Sequence, residues 1–255
     1  MNNTNHQLFL DNVKDHTVSH ITFQLRYDTQ LDMLHTYPQP KEHELGKYYE
    51  SDDYISHTDS KRSLFEKAYH LVKKRALQQK VQLLEKHQFN KGALLDMGCG
   101  TGDFLQLAQQ SGWKTTGIEP NEKAKQIATA KGASFITATS EAASQSYDAI
   151  TLWHVLEHLP NLEAQINELH RLLKPNGTLL IAVPNYKSFD AVYYKEFWAA
   201  YDVPRHLWHF SKTSIQRLVE QVGMEVVSIL PMKFDSYYVS MLSEKYKTGK
   251  MNYLR

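Results

Sequence analysis

The sequence predicts an α/β protein with a doubly wound, mostly parallel, Rossmann-like sheet and helices on both faces. Two observations carry this prediction: strand and helix patterns alternate between residues 93 and 183, and a glycine-rich turn follows the first apolar strand. The predicted elements are strand 93–97, helix 102–111, strand 114–119, helix 121–131, strand 134–137, strand 148–153, helix 161–173, strand 178–183, helix 211–222, strand 224–230 and a helical segment 238–246.

The residues before this alternating region predict two smaller parts. Weak alternation over 12–39 indicates short antiparallel strands, so residues 1–40 are predicted to be a small β appendage. Residues 41–90 are predicted to hold a lid loop and a basic amphipathic helix, since 48–57 is rich in aromatic and hydroxyl side chains and 61–87 has helical spacing. A turn packed on the first helix and a merely solvated basic face are the alternatives. Residues 91–255 are predicted to form the main, ligand-binding domain.

Composition excludes several classes of function. The 255 residues carry 29 Lys and Arg against 28 Asp and Glu, a net charge of +1, which offers no general attraction for nucleic acid. The single cysteine, Cys99, can build neither a disulfide framework nor a thiolate zinc site. No apolar run approaches about 18 residues, and the N-terminus has no signal-peptide core. We therefore expect a cytoplasmic protein without stable membrane insertion and without a nucleic acid partner.

The glycine turn predicts a nucleotide site. Asp96 ends the apolar strand before the alternating glycines 98, 100 and 102, and Glu119 follows about 20 residues later, where a ribose diol would need an acceptor. A dinucleotide fingerprint requires a small residue where this chain has Asp103, whose carboxylate would repel pyrophosphate. S-adenosylmethionine carries a sulfonium and an ammonium and no phosphate, so the acids favour it over a dinucleotide.

Four motifs in order resemble the class I S-adenosylmethionine-dependent methyltransferases, in the branch of the ubiquinone-pathway O-methyltransferases. They are the glycine turn, Gly117-Ile118-Glu119-Pro120, the strand 147–153 leading into 154–159, and the segment 172–181. The resemblance implies S-adenosylmethionine as cofactor, held by Asp96, Gly98, Gly100, Glu119, Pro120, Ser140, Trp153 and His154.

The resemblance also has two departures. Relatives often carry a cysteine-ligated zinc ribbon near the N-terminus, whereas these cysteines are absent, so the appendage is predicted to be a degenerate, metal-free remnant. Relatives usually end in an antiparallel hairpin strand, and no such strand is apparent in the sequence after residue 246, so we expect the last strand of the domain to be missing.

Three residues after the fourth strand are candidates for catalysis. His154, Glu157 and His158 have i, i+3 and i+4 spacing and would share one face of a helix at the carboxyl edge of the sheet. A histidine there could act as a general base for an oxygen acceptor, with Glu157 orienting its ring. The alternative is structural: Trp153 and His154 wall the cofactor, and His158 caps a helix.

A second cluster is predicted to bind the methyl acceptor. The segment 197–210 is rich in aromatic and basic residues, and Trp198, Arg205, His206 and His209 suit a planar, partly anionic molecule. A well-packed insertion is the alternative. Some relatives bind a divalent ion through an acidic pair and a histidine. Because the first acid is replaced by His154, the set His154, Glu157, His158 and His206 is only a weak metal hypothesis, and we predict no metal.

Together these observations predict methyl transfer from S-adenosylmethionine to a small-molecule acceptor, favouring oxygen of a phenol-like or carboxylated compound. Two alternatives stay open, namely a methyltransferase acting on protein or RNA and a binding protein that holds the cofactor without transferring the methyl group. The absence of a basic excess argues against RNA.

Overall fold

The computed structural model describes residues 6–49, 64–88 and 90–250. In chain order its regular elements are β1 (His6–Lys14), β2 (Thr22–Asp28), β3 (Met33–Tyr37), α1 (Leu64–His87), β4 (Ala93–Met97), α2 (Asp103–Gln110), β5 (Lys114–Ile118), α3 (Glu122–Ala130), β6 (Tyr147–Trp153), α4 (Leu162–Leu172), β7 (Leu173–Ala182), α5 (Phe189–Tyr194), β8 (Trp208–His209), α6 (Lys212–Glu220) and α7 (Lys233–Thr248). Short 3₁₀ turns occupy Glu42–Tyr49, Thr139–Glu141, Leu156–His158, Lys195–Phe197 and Ala199–Tyr201.

The chain divides into two compact units. Residues 59–156 and 162–182 form the parallel-sheet unit. Residues 1–58, 157–161 and 183–255 form the antiparallel-sheet unit, so this unit is assembled from three separate stretches of chain.

The parallel-sheet unit has the predicted α/β architecture. Its four strands are all parallel and lie in the order β5-β4-β6-β7. The order reverses direction beside β4, and open α/β sheets bind ligands at the carboxyl ends of the strands at such a switch point. The doubly wound, Rossmann-like fold is therefore confirmed. We expect a ligand to bind where the carboxyl ends of β4 and β6 meet the edge of the sheet.

Apolar side chains fix α1 and α2 against this sheet. Val81 and Leu84 from α1 pack in one buried cluster with Phe104 from α2 and with Leu94 of β4 and Ala149 of β6. Each of these side chains is at most 5% exposed. Because these side chains are close-packed, they fix the position of α1 along its axis relative to the sheet.

The antiparallel-sheet unit contains the predicted N-terminal strands. β1, β2 and β3 pair antiparallel, and β8, from much later in the chain, pairs with β3 to complete the order β1-β2-β3-β8. The buried carboxylate of Asp32 accepts hydrogen bonds from Tyr27 Oη, Lys187 Nζ and Ser211 Oγ at 2.6–2.8 Å. The N-terminal strands are thus tied to residues beyond 183 by both backbone and side-chain hydrogen bonds.

Several local predictions differ from the structure. The predicted strand 224–230 is wrong: these residues form no strand or helix, and Val227, Ile229 and Leu230 are more than half exposed. Strand 134–137 is reduced to one bridge between Phe135 and Gly117. The helical segment 238–246 is confirmed as part of α7.

The lid and the predicted domain boundaries remain predictions. Most of the predicted lid loop, 50–57, lies outside the described residues, whereas α1 confirms a helix after it. The boundaries 1–40, 41–90 and 91–255 likewise stay predictions. Among the described residues, no helix combines the length and apolar character needed to cross a membrane.

Candidate functional site

The glycine turn after β4 adopts backbone conformations that require glycine. Gly98 and Gly100 have φ of +63° and +54°, in the left-handed region where a side chain is strained. A Cβ at Gly98 would lie 2.5 Å from a methyl of Val155, whereas a Cβ at Gly100 would meet no atom within 4 Å. Gly98 is therefore needed for packing within the unit, and Gly100 presents bare backbone to open space at the predicted cofactor position.

Glu119, which follows β5, anchors this turn. Its two carboxylate oxygens accept hydrogen bonds from the backbone N–H groups of Gly100 and Asn121, each at 2.8 Å, and the residue is 8% exposed. Each carboxylate oxygen keeps a further lone pair, so ribose hydroxyls can still donate to it. The predicted ribose role thus fits the geometry and remains a prediction.

Asp96 is a buried acid beside the turn. It is 2% exposed, and Thr151 Oγ1 of the neighbouring strand donates to its Oδ1 at 2.6 Å. Burial raises the pKa of Asp96 to about 7, although the Thr151 hydrogen bond and the charge of Lys80 oppose this rise. A bound cation would favour the ionised form, so the carboxylate is suited to an ammonium or sulfonium.

Asp103 does not act as the sequence argument assumed. Its carboxylate forms ion pairs with Lys73 Nζ at 2.7 Å and Lys131 Nζ at 2.5 Å. Burial raises the pKa of Asp103, but the hydrogen bonds from Lys131 and Lys73 outweigh burial and hold it below its usual range. The two lysines offset the negative charge, so Asp103 gives no strong repulsion of phosphate. The predicted preference against a dinucleotide therefore has support only from Asp96 and Glu119.

The remaining predicted cofactor residues are spread around the parallel-sheet unit. Trp153 ends β6, and its ring meets Phe104 edge-on with centroids 5.5 Å apart. His154 follows with φ of +60°, and its backbone N–H donates to Ala182 at 2.9 Å. Pro120 and Ser140 are exposed, the first directly after Glu119 and the second in the Thr139–Glu141 turn. Their role in binding stays a prediction.

The three predicted catalytic residues do not share a helix face. The left-handed backbone at His154 and the single 3₁₀ turn over Leu156–His158 replace the expected helix, so that part of the interpretation is wrong. His154 belongs to the parallel-sheet unit, whereas Glu157 and His158 belong to the antiparallel-sheet unit. The catalytic roles themselves remain predictions.

Within the antiparallel-sheet unit, Glu157, His158 and His206 form a cluster. One possible ligand atom from each lies within 4.8 Å of the others. His158 Nδ1 lies 3.1 Å from the carbonyl oxygen of Arg205, and His206 Nδ1 lies 2.9 Å from that of Ala200. The Ala200 carbonyl only accepts, so the Nδ1 of His206 carries the proton. The Nδ1 of His158 also lies 2.9 Å from Tyr49 Oη, a hydroxyl that can donate or accept, so either ring nitrogen of His158 can carry its proton.

This cluster could do two kinds of chemistry. Burial, with the neighbouring His206 adding to the effect, lowers the pKa of His158 to about 4, so its imidazole is neutral at pH 7 and one of its ring nitrogens carries no proton. Two imidazoles and a carboxylate are also a donor set that suits a divalent transition metal ion. Glu157, His158 and His206 would hold such an ion and could polarise an acceptor oxygen through it. His154, the fourth residue of the weak metal hypothesis, lies in the other unit.

The predicted acceptor-binding residues are mostly buried in the same unit. Trp198 is 5% exposed, and Arg205 forms an ion pair with Asp202. His209 is 4% exposed, and its Nε2 lies 3.1 Å from Thr36 Oγ1, which itself donates to the backbone of His206. His206 belongs to the cluster itself, and the carbonyl oxygen of Arg205 lies 3.1 Å from His158 Nδ1. His209 lies on β8, which pairs with β3. Acceptor binding by these residues remains a prediction.

Comparison with known proteins decides the family. A family model described as "Methyltransferase domain" matches residues 67–229. The chain belongs to this methyltransferase family. Two relatives, from Azoarcus sp. (strain BH72) and Aromatoleum aromaticum, are each 26% identical to this chain over the matched residues. Both are named "Ubiquinone biosynthesis O-methyltransferase". The first match covers 56% of this chain and 68% of the relative, and the second covers 63% and 75%.

Solved structures agree on the fold. A magnesium protoporphyrin IX methyltransferase from Synechocystis PCC 6803, with bound S-adenosylhomocysteine (SAH), has a TM-score of 0.52 at 17% identity over 68% of this chain and 82% of its own. A Burkholderia thailandensis 1,6-didemethyltoxoflavin-N1-methyltransferase, also with SAH bound, has the same TM-score and identity over 81% and 86%. The chain is an S-adenosylmethionine-dependent methyltransferase of class I, and S-adenosylmethionine is its cofactor.

Sequence reasoning missed three groups at this site. Thr151 could have been found, because it lies two residues before Trp153 on the same strand face and in register with Asp96. Lys73 and Lys131 carry no local signal, since they come from α1 and from the end of α3. Their contact with Asp103 depends on the tertiary fold.

Replacing Gly100 by alanine should weaken binding of SAH about tenfold or more, because the added methyl group points into the open space beside the turn. Gly132→Ala is the matched control: Gly132 also has positive φ, +87°, and nothing within 4 Å of its Cβ. Both substitutions should cost about 1–2 kcal/mol of folding stability. Calorimetry checks this, and equal SAH affinity in both variants would show that Gly100 is not near the cofactor.

Proposed function

We propose that this methyltransferase transfers the methyl group of S-adenosylmethionine to an oxygen atom of a small molecule, either a phenol-like or a carboxylated compound. The observation that carries this proposal is the partly buried, neutral imidazole of His158, which has one unprotonated ring nitrogen. In the proposal its proton lies on Nδ1, toward the Arg205 carbonyl, and Nε2 accepts a second proton. A phenol must lose its proton as its oxygen is methylated, and a fixed neutral imidazole can take that proton. A carboxylate is already ionised at neutral pH, so its methylation needs alignment but no base.

In the methyl transfer the protein aligns the donor and the acceptor and forms no covalent bond to either. The methyl group moves by in-line displacement from a sulfonium, and the leaving thioether departs neutral. In the proposal, Asp96, Glu119 and the turn at Gly98 and Gly100 hold the donor. Arg205, Trp198 and His206 bind the acceptor, and His158 takes its proton. Glu157 is a buried carboxylate beside His158 that would stabilise the imidazolium once it forms.

The relatives support oxygen and a small acceptor. The names of the Azoarcus and Aromatoleum relatives specify O-methylation in ubiquinone biosynthesis. A phenolic acceptor is compatible with the aromatic and cationic residues near His206. We also propose a cytoplasmic location, for which the support is one buried cysteine and no disulfide. The net charge of +1 supports a small-molecule partner over nucleic acid.

An assay with radiolabelled S-adenosylmethionine tests the proposal. The acceptor panel pairs catechols, phenols and hydroxybenzoates with matched anilines and aliphatic amines. Label should appear in a phenolic ether or a carboxylic ester. Label found only on amines, or only in added protein or RNA, would contradict oxygen transfer to a small molecule.

A further inference from the structure

Tyr49 contacts the imidazole that is proposed as the base. It is the last residue of the 3₁₀ turn Glu42–Tyr49, and its Oη lies 2.9 Å from His158 Nδ1. The two ring centroids are 5.9 Å apart, and the rings are tilted by 56°. Both residues belong to the antiparallel-sheet unit, although 109 positions separate them in the sequence. The end of this turn thus reaches the cluster around His158, a contact that the sequence did not indicate.

Two further groups hold the His158 ring. The carbonyl oxygen of Arg205 lies 3.1 Å from the same Nδ1, and the His206 ring meets the His158 ring edge-on with centroids 4.5 Å apart. The backbone N–H of Leu207 donates to the Glu157 carbonyl at 2.8 Å, which keeps this part of the chain beside His158. Nδ1 therefore faces two oxygens from separate segments of the chain.

These two oxygens constrain the ring in different ways. The Arg205 carbonyl can only accept, so it favours the tautomer of His158 with the proton on Nδ1. One acceptor still allows the ring to turn about its Cβ–Cγ bond, because this torsion is broad in histidine. When Nδ1 carries the proton, the Tyr49 oxygen at 2.9 Å is a second acceptor, and sharing the N–H between two oxygens narrows that rotation.

We propose that Tyr49 is a positioning residue for the methyl transfer: its hydroxyl oxygen accepts from Nδ1–H of His158 and orients the ring so that Nε2 meets the hydroxyl of a phenol. This proposal rests on the proposed function, in which His158 takes the proton of the phenol. Tyr49 acts through His158 and is assigned no contact with the cofactor. Its hydroxyl should therefore matter for transfer to a phenol, and should matter neither for SAH binding nor for transfer to a carboxylate, which needs no base.

The kinetic test is Tyr49→Phe, which keeps the ring and removes the hydroxyl. With a phenolic acceptor from the panel, kcat should fall about fivefold, an effect typical of one lost hydrogen bond, while KM and SAH affinity stay within about twofold. Tyr237→Phe is the matched control and should match wild type, because Tyr237 is a 67% exposed tyrosine on α7 of the same unit. In a His158→Gln background, Tyr49→Phe should cause no further loss, since residues that act through one another are not additive.

A spectroscopic test needs no acceptor. Heteronuclear NMR of the imidazole nitrogens should find the His158 proton on Nδ1. The Nδ1–H resonance should shift in Tyr49→Phe and stay in place in Tyr237→Phe. A proton found on Nε2 would mean that Tyr49 donates to Nδ1, and this result would overturn the proposal.

Two kinetic results would also overturn it. One is unchanged kcat in Tyr49→Phe when His158→Gln loses activity, which would remove Tyr49 and leave the proposed function intact. The other is the same loss from Tyr49→Phe in the wild-type and His158→Gln backgrounds, which would mean that Tyr49 only supports the fold. Unchanged kcat in His158→Gln would instead refute the base of the proposed function, so the two failures are distinguishable. Thermal unfolding of each variant shows whether it is folded.

Discussion

Replacing Glu119 by alanine is expected to weaken SAH binding about 100-fold. The change removes the acceptor predicted for the ribose hydroxyls, and hydrogen bonds to a charged group contribute about 1.5–3 kcal/mol. It also releases the backbone N–H of Gly100, which Glu119 holds at 2.8 Å, so the turn loses its anchor. The loss should appear with adenosine as well, because the ribose is common to both ligands. Calorimetry with both ligands measures it.

Two variants serve as controls for Glu119→Ala. Glu122→Ala removes the same charge three residues later, from a side chain that is 74% exposed, and should leave affinity within about twofold. Asp96→Asn should weaken SAH but spare adenosine, since Asp96 is assigned to the methionine end. Unchanged SAH affinity in Glu119→Ala would remove Glu119 from the cofactor site.

Replacing His158 by glutamine is expected to lower kcat for the oxygen acceptor about 100-fold to 1,000-fold, with SAH affinity within about threefold. General-base catalysis commonly contributes an effect of this size, and glutamine cannot take up the proton. His170→Gln is the control, because His170 is an exposed histidine in the last turn of α4. Steady-state kinetics on any acceptor found in the panel measures the effect.

The outcomes for His158 separate three roles. Unchanged kcat in His158→Gln would mean that alignment alone suffices and that His158 is not the base. Loss of wild-type activity on dialysis against EDTA, with recovery on adding a divalent ion, would show that the cluster of Glu157, His158 and His206 acts through a metal. A parallel loss of SAH affinity would indicate that His158 supports structure.

The parallel sheet and the glycine turn could be predicted because their signals are local. Strand, turn and helix follow one another within 94–110. The backbone positions with positive φ in this turn are occupied by glycine, so the residue type itself indicates the turn. Asp96 and Glu119 were predictable for the same reason, since each ends a strand at a fixed distance from the turn.

The rest depends on contacts between distant segments. The pairing of β3 with β8 and the hydrogen bond from Leu207 N–H to the Glu157 carbonyl bring His206 beside His158, yet 48 positions separate the two histidines. The left-handed backbone at His154 overrode a helical spacing that the sequence alone favoured. The lysines at Asp103 show how a charge argument from sequence fails when its counter-ions come from elsewhere.

Calorimetric titration of the wild-type protein with SAH at pH 8 and pH 6 tests the cofactor site most directly. Asp96 has a pKa of about 7 without ligand, and a bound ammonium should lower it, so a proton competes with the ligand below pH 7. We expect binding at submillimolar ligand that is about tenfold tighter at pH 8 than at pH 6. Binding of NAD with no binding of SAH at either pH would contradict the site described for Asp96, Glu119 and the glycine turn.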